Sequence, residues 1–102
     1  MGGGDIVAKS ILQVDELRCH NCGRRDWIEE HHVFGGNGSR KLSERYGLKV
    51  YLCHWCHNEP PTGVHHNKNA RQLLQKEAQL KAMDHYGWTE DKFRNIFGKS
   101  YL

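Results

Sequence analysis

Apolar residues fall along the chain in short runs set off by glycine and proline. From Trp27 to Phe34, aromatic, branched and histidine residues follow one another, which predicts a strand. Gly35-Gly36-Asn37-Gly38 must then turn or loop. Ser39 is placed to cap a short helix through Tyr46, with Gly47 ending it. Residues 48–52, Leu-Lys-Val-Tyr-Leu, alternate like a second strand. Pro60-Pro61 forbids a helix interior, so 58–64 is expected as a loop. From about Asn67 to His85 the pattern turns helical. Ala70, Leu73, Leu74, Ala78 and Leu80 share one side, which Glu77 and Lys81 interrupt. Gly87 is expected just past its end. Thr89 then reads as the N-cap of a last helix, with Glu90 and Asp91 in its first turn and Gly98 closing it. Trp88 and Phe93 are spaced for a hydrophobic staple.

The strands and helices together predict an α+β fold. The chain has 102 residues, enough for one domain. We expect residues 1–16 as a flexible leader and 17–102 as a single domain. A domain this small buries a limited core, so a structural metal is a common staple. The cysteines supply one: Cys19-x-x-Cys22 and Cys53-x-x-Cys56, thirty residues apart, can give four thiolates to one tetrahedral zinc. Such a site is structural, because four protein ligands leave no open position. A redox CxxC pair and four unlinked core cysteines are the alternatives. The redox pair would normally sit at a helix start in a βαβ setting, which this pattern lacks. No signal peptide or membrane-length apolar run is expected, so the chain reads as soluble and cytoplasmic, where cysteines more often bind metal than pair as disulfides.

Charge adds little, since a formal +3 permits nucleic-acid binding without demanding it. Histidine changes the picture. Seven of the eight lie between His20 and His66, beside the paired cysteines, which is the composition of metal chemistry.

The order CxxC, His31-His32-Val33-Phe34-Gly35-Gly36 and Leu52-Cys53-x-x-Cys56-His57 resembles the zinc-stapled HNH (His-Me finger) endonucleases over roughly residues 19–66. With Arg40-Lys41-Leu42-Ser43-Glu44 and the ending Ile96-Phe97-Gly98-Lys99-Ser100-Tyr101-Leu102, the chain is also similar to small prophage-encoded HNH proteins, among whose phage relatives are RecA-dependent recombination nucleases. The resemblance implies a ββα-metal finger pinned by the four-cysteine zinc and backed by two C-terminal helices. It implies one catalytic divalent metal (Mg, Mn, Ni or Zn) on His31 and His57, with His65 as third ligand. His32 would be the general base, since an imidazole can accept a proton from water at neutral pH. The implied substrate is DNA, and a recombinase or a phage replication or packaging factor is the kind of protein partner implied. The family's middle Asn has no counterpart in Tyr46-Gly47-Leu48-Lys49, so its role falls to Asn37 or another loop residue, or is absent.

Other residues have plainer readings. His20 and His54 are expected as exposed turn residues, His66 as a solvated neighbour, and His85 as a helix-end charge. Glu29 and Glu30 read as strand-surface charges, with Glu30 also a candidate carboxylate partner of a ligating histidine. Arg24, Arg25 and Arg45 read as solvated charge, while Arg40 and Lys41 are the phosphate-contact candidates. Trp27, Trp55, Tyr51, Phe93 and Phe97 are read as core. Two other functions compete: a non-catalytic zinc module that binds nucleic acid or protein, and a thiol redox protein.

Overall fold

A computed structural model describes residues 8–36 and 38–102; Asn37 and the first seven residues of the expected leader lie outside the described residues. Among the described residues the fold is α+β, a two-stranded antiparallel sheet with four helices. Strand β1 (Ile28–His32) pairs with β2 (Lys49–Cys53), and α1 (Ser39–Tyr46) lies between them in sequence. A single-turn helix α2 (His54–His57) follows β2 directly, then α3 (Lys68–Tyr86) and α4 (Glu90–Phe97). No helix among the described residues is long and apolar enough to cross a membrane.

The strand register divides the chemistry. His31 faces Val50 and Glu29 faces Leu52, whereas His32 faces Lys49 and Glu30 faces Tyr51. Directly opposed residues share a face and neighbours along a strand alternate. One face therefore carries Glu29, His31 and the buried Val50 and Leu52 toward the core. The other carries Glu30, His32, Lys49 and Tyr51 toward α1.

The core closes behind the sheet. Phe34 packs against Phe93, Phe97 and Tyr101, with ring centroids 4.8–5.4 Å apart. Phe34 is fixed by Ser43, whose fully buried hydroxyl accepts from its N–H and donates to its carbonyl. This joins the end of β1 to α1 and so sets the loop that Arg40 leaves. On α3 the buried stripe is Leu74, Ala78 and Ala82 with Gln79, so Leu73 and Leu80, expected inward, are exposed instead. Gln79 rotates the stripe because its amide binds the C-terminal tail: Nε2 donates to Ser100 and Oε1 accepts from the Tyr101 N–H.

The caps agree only in part. Asn67 and Thr89 accept from the backbone N–H groups of Ala70 and Lys92, as N-caps do. Ser39, expected as a cap, is already inside α1, and Gly38 precedes it with no side chain to offer. Trp88, expected against Phe93, lies against Tyr46 and Tyr86. Phe93 and Phe97 are core, but Trp27 is 59 % exposed and Trp55 37 %, which corrects the core reading of both.

The expected leader is tied down from Ala8 onward. Ala8 and Ile11 donate to the carbonyls of Glu44 and Gly47, Ser10 Oγ donates to the Lys49 carbonyl, and Gln13 Oε1 accepts from the Tyr51 N–H. These contacts occupy the outer edge of β2, which would otherwise be an unpaired strand edge. The crossing is close at Gly47, whose φ is +71° and where a Cβ would clash with the Lys9 carbonyl oxygen. Gly47→Ala is expected to destabilise the fold by about 2–4 kcal/mol through clash and left-handed strain. A shift in the denaturant midpoint checks this; an unchanged midpoint would mean that the leader does not pack there.

Candidate functional site

The two cysteine pairs meet. Cys19 and Cys22 form one knuckle, and Cys53 and Cys56 bracket the start of α2, with the ligand atoms of all four within 4.8 Å of one another. The Cys22 and Cys53 sulfurs are 3.7 Å apart. A tetrahedral ion with metal–sulfur bonds of about 2.3 Å sets its thiolates about 3.8 Å apart, so the cluster has the spacing of a four-thiolate metal site. Donors face the sulfurs, as thiolates require: the Cys22 N–H points at Cys19 Sγ and Asn21 Nδ2 at Cys56 Sγ. Burial pushes the Cys19 thiol up, but N–H groups at Cys22, Cys53 and Asn21 outweigh it and bring it down to about 6. Cys56 is pushed up to about 12, by burial first and then by the neighbouring cysteines. Without an ion, one thiolate of such a cluster makes the next costlier to form.

A second convergence lies on the core face at the other end of the hairpin. His31, from β1, meets His57 from the end of α2 and His65 from the returning loop. The three ring centroids are 4.7–5.0 Å apart, and His57 Nε2 lies 3.0 Å from His65 Nε2. Pro60-Pro61 lengthens the loop, but its backbone folds back on α2. Val64 and His65 donate to the carbonyls of Cys56 and His57, and Gly63 lies so close that a Cβ would meet Glu59 N at 2.8 Å. That return brings His65 to His57.

The state of these rings fits a metal. His31 Nε2 is buried with no hydrogen-bond partner, an orphan that costs free energy unless something binds it. Burial first, then the charges that His57, His65 and His32 would carry, lowers His31 to about 3, so the ring is neutral with a lone pair to offer. His57 Nδ1 is 2.9 Å from Glu29 Oε1. An ionised carboxylate only accepts, so Nδ1 carries the proton and Nε2 presents its lone pair to the centre. Burial alone would raise Glu29, but hydrogen bonds from His57, Asn58 and His54 hold it below the usual range. A carboxylate behind a ligating histidine is a recurrent metal-site feature. The expected partner was Glu30; the pleat gives the role to Glu29, on the face of His31.

His32 is on the opposite face. Its Nε2 lies 2.7 Å from Glu44 Oε1, and Lys49 Nζ lies 2.8 Å from the other Glu44 oxygen and 3.4 Å from Glu30. Burial would raise Glu44, but hydrogen bonds from Lys49 and His32 keep it low. Glu30, His32 and Glu44 also lie close enough together to ligate an ion. Lys49, buried among them, already supplies the positive charge there.

The two faces meet at the strand end. A hollow of about 230 Å³ is lined by Glu30, His31, His32, Arg40, His57 and His65. Lys41 lies in the adjoining hollow with Arg40, His32, Glu30 and Glu44. A larger hollow, about 710 Å³, lies between α3 and the C-terminal tail and gathers no metal-ligating or nucleophilic cluster. Glu29, Glu44 and Asn58 are the site residues that sequence reasoning missed; strand alternation from His31 was the signal for Glu29. The chain matches no protein-family model, no curated protein and no solved structure.

Proposed function

We propose that this protein is a metal-dependent endonuclease of the HNH type, with zinc on its four cysteines, that hydrolyses DNA phosphodiester bonds. The observation that carries the reading is the convergence of His31, His57 and His65, with the bare Nε2 of His31, in a hollow that His32 and Arg40 also line. Three imidazoles would leave a bound ion able to take water and phosphate as well, which four thiolates would not.

His31, His57 and His65 would hold the catalytic divalent ion, and Glu29 orients His57. The ion, when bound, stabilises charge on the scissile phosphate and the departing 3′ oxygen. Glu44 accepts from His32 Nε2, which leaves His32 Nδ1 as the basic nitrogen. That nitrogen takes the proton from the attacking water as the water oxygen bonds to phosphorus. The bond from phosphorus to the 3′ oxygen breaks, and that oxygen takes a proton from solvent. Arg40 and Lys41 hold the DNA backbone.

The test is nicking of supercoiled plasmid under Mg, Mn, Ni or Zn, with EDTA as control. Metal-dependent nicking is expected, and its absence with every metal would favour a non-catalytic zinc module. Arg40→Ala with Lys41→Ala should weaken DNA binding across sequences and reduce the salt slope by about 1–2, with structural metal content unchanged. An unchanged salt slope in that double variant would move the phosphate contacts elsewhere.

A further inference from the structure

The residue just before β1 breaks two rules at once. Trp27 is bulky and aromatic, yet its φ is +52°, in the left-handed region, where such residues are outliers. It is also 59 % exposed, although tryptophan gains much from burial. Backbone strain of this kind clusters at active sites and ligand clamps. Part of the backbone's reason is structural, since the Trp27 carbonyl accepts from the His54 N–H at the start of α2. That bond needs the backbone shape and not the indole, so it leaves the choice of side chain unexplained.

The indole is held ready. Trp27 stacks on the His54 ring, with centroids 4.1 Å apart and planes 10° apart. His54 is itself fixed by carboxylates on both ring nitrogens, Glu29 at 3.3 Å and Glu59 at 3.1 Å. One indole face is thus covered by a braced ring, and the exposure of the residue leaves the other open to solvent. Trp55 meets Trp27 edgewise at 5.4 Å, and the Arg24 guanidinium lies 4.4 Å over the Trp55 ring. Arg24 covers the Trp55 ring and Trp55 stands perpendicular to Trp27, so Trp27 supplies the face of a stacking platform, with an aromatic edge and a guanidinium beside it, the kind of surface that takes unpaired bases with little regard to sequence. The platform is continuous with the histidine centre, because Glu29 bridges His54 on one oxygen and His57 on the other.

We propose that Trp27, braced by His54 and flanked by Trp55 and Arg24, stacks an unpaired nucleobase, so that the substrate is nucleic acid with single-stranded character near the cleaved bond. This rests on the nuclease reading for the word substrate, but binding can be read without cleavage. The probe is a single-stranded oligothymidylate, compared with a duplex of equal length, followed by tryptophan fluorescence. The single strand should quench the fluorescence and bind more tightly than the duplex. Trp27→Asn removes the ring and suits a left-handed backbone. It should keep its structural metal, melt at or above the wild-type temperature, and bind the single strand about tenfold or more weakly. Trp27→Phe, which keeps a ring, should recover part of the affinity. Unchanged single-strand affinity in Trp27→Asn would overturn the platform, as would equal binding of duplex and single strand without quenching in the wild type. A platform meant for a protein would give that second result. His32→Ala separates the two ideas: it should quench and bind like the wild type even where it fails to nick.

Discussion

Cys53→Ser is expected to leave the chain largely unfolded and free of its tightly held metal. Cys53 is fully buried, ends β2 opposite Ile28 and precedes the first turn of α2, so its sulfur joins the sheet to the helix that carries His57. A two-stranded sheet is marginal alone. A structural zinc contributes about 10–16 kcal/mol of apparent binding free energy, against a typical domain stability of about 5–15 kcal/mol. Serine keeps the shape and loses the thiolate. Elemental analysis should find about one tightly held zinc in the wild type, and the variant should lose its cooperative melt. A metal-free variant that melts like the wild type would show that the four sulfurs do not staple the fold.

His57→Ala is expected to fold, keep that zinc and lose cleavage at low metal concentration by more than the about 10–100-fold that loss of a ligand's outer partner costs, with partial recovery at high metal concentration. The imidazole is removed from the centre, while the cysteine cluster one residue away keeps its ligands. Glu29→Gln should act in the same direction more mildly, weakening metal binding by about 10–100-fold, because His57 remains but loses its fixed orientation. Calorimetric titration of a divalent ion into zinc-loaded protein reads both changes. Wild-type affinity in His57→Ala would remove the residue from the ligand set.

The strands and three of the four helices were legible because glycine, proline and capping residues punctuate them: Gly47, Pro60-Pro61, Asn67, Thr89 and Gly98 all mark real boundaries or loops. The meeting of the four cysteines was legible from spacing alone. What escaped depends on contacts between distant segments. The choice of Glu29 over Glu30 follows from the pleat of β1 and from where α2 packs. The exposure of Leu73 follows from Gln79 binding a tail some twenty residues onward. The single turn of α2 is too short for periodicity to reveal, and the segment from Ala8 to Gln13 is ordered by hydrogen bonds to β2 and α1 that its own composition does not announce.

The pairing of His32 with Glu44 was hidden for the same reason, and under the proposed function it is the contact that sets the base. A general base held in one tautomer contributes about 10²–10⁴-fold to rate and little to binding. The most direct measurement is nicking of supercoiled plasmid by wild type and His32→Ala side by side, with DNA affinity and zinc content measured on the same samples. Wild type is expected to nick with a divalent metal, and His32→Ala to bind DNA and zinc equally well but to nick at least about a hundredfold more slowly. Equal nicking by the two proteins would contradict the role of His32 as the base.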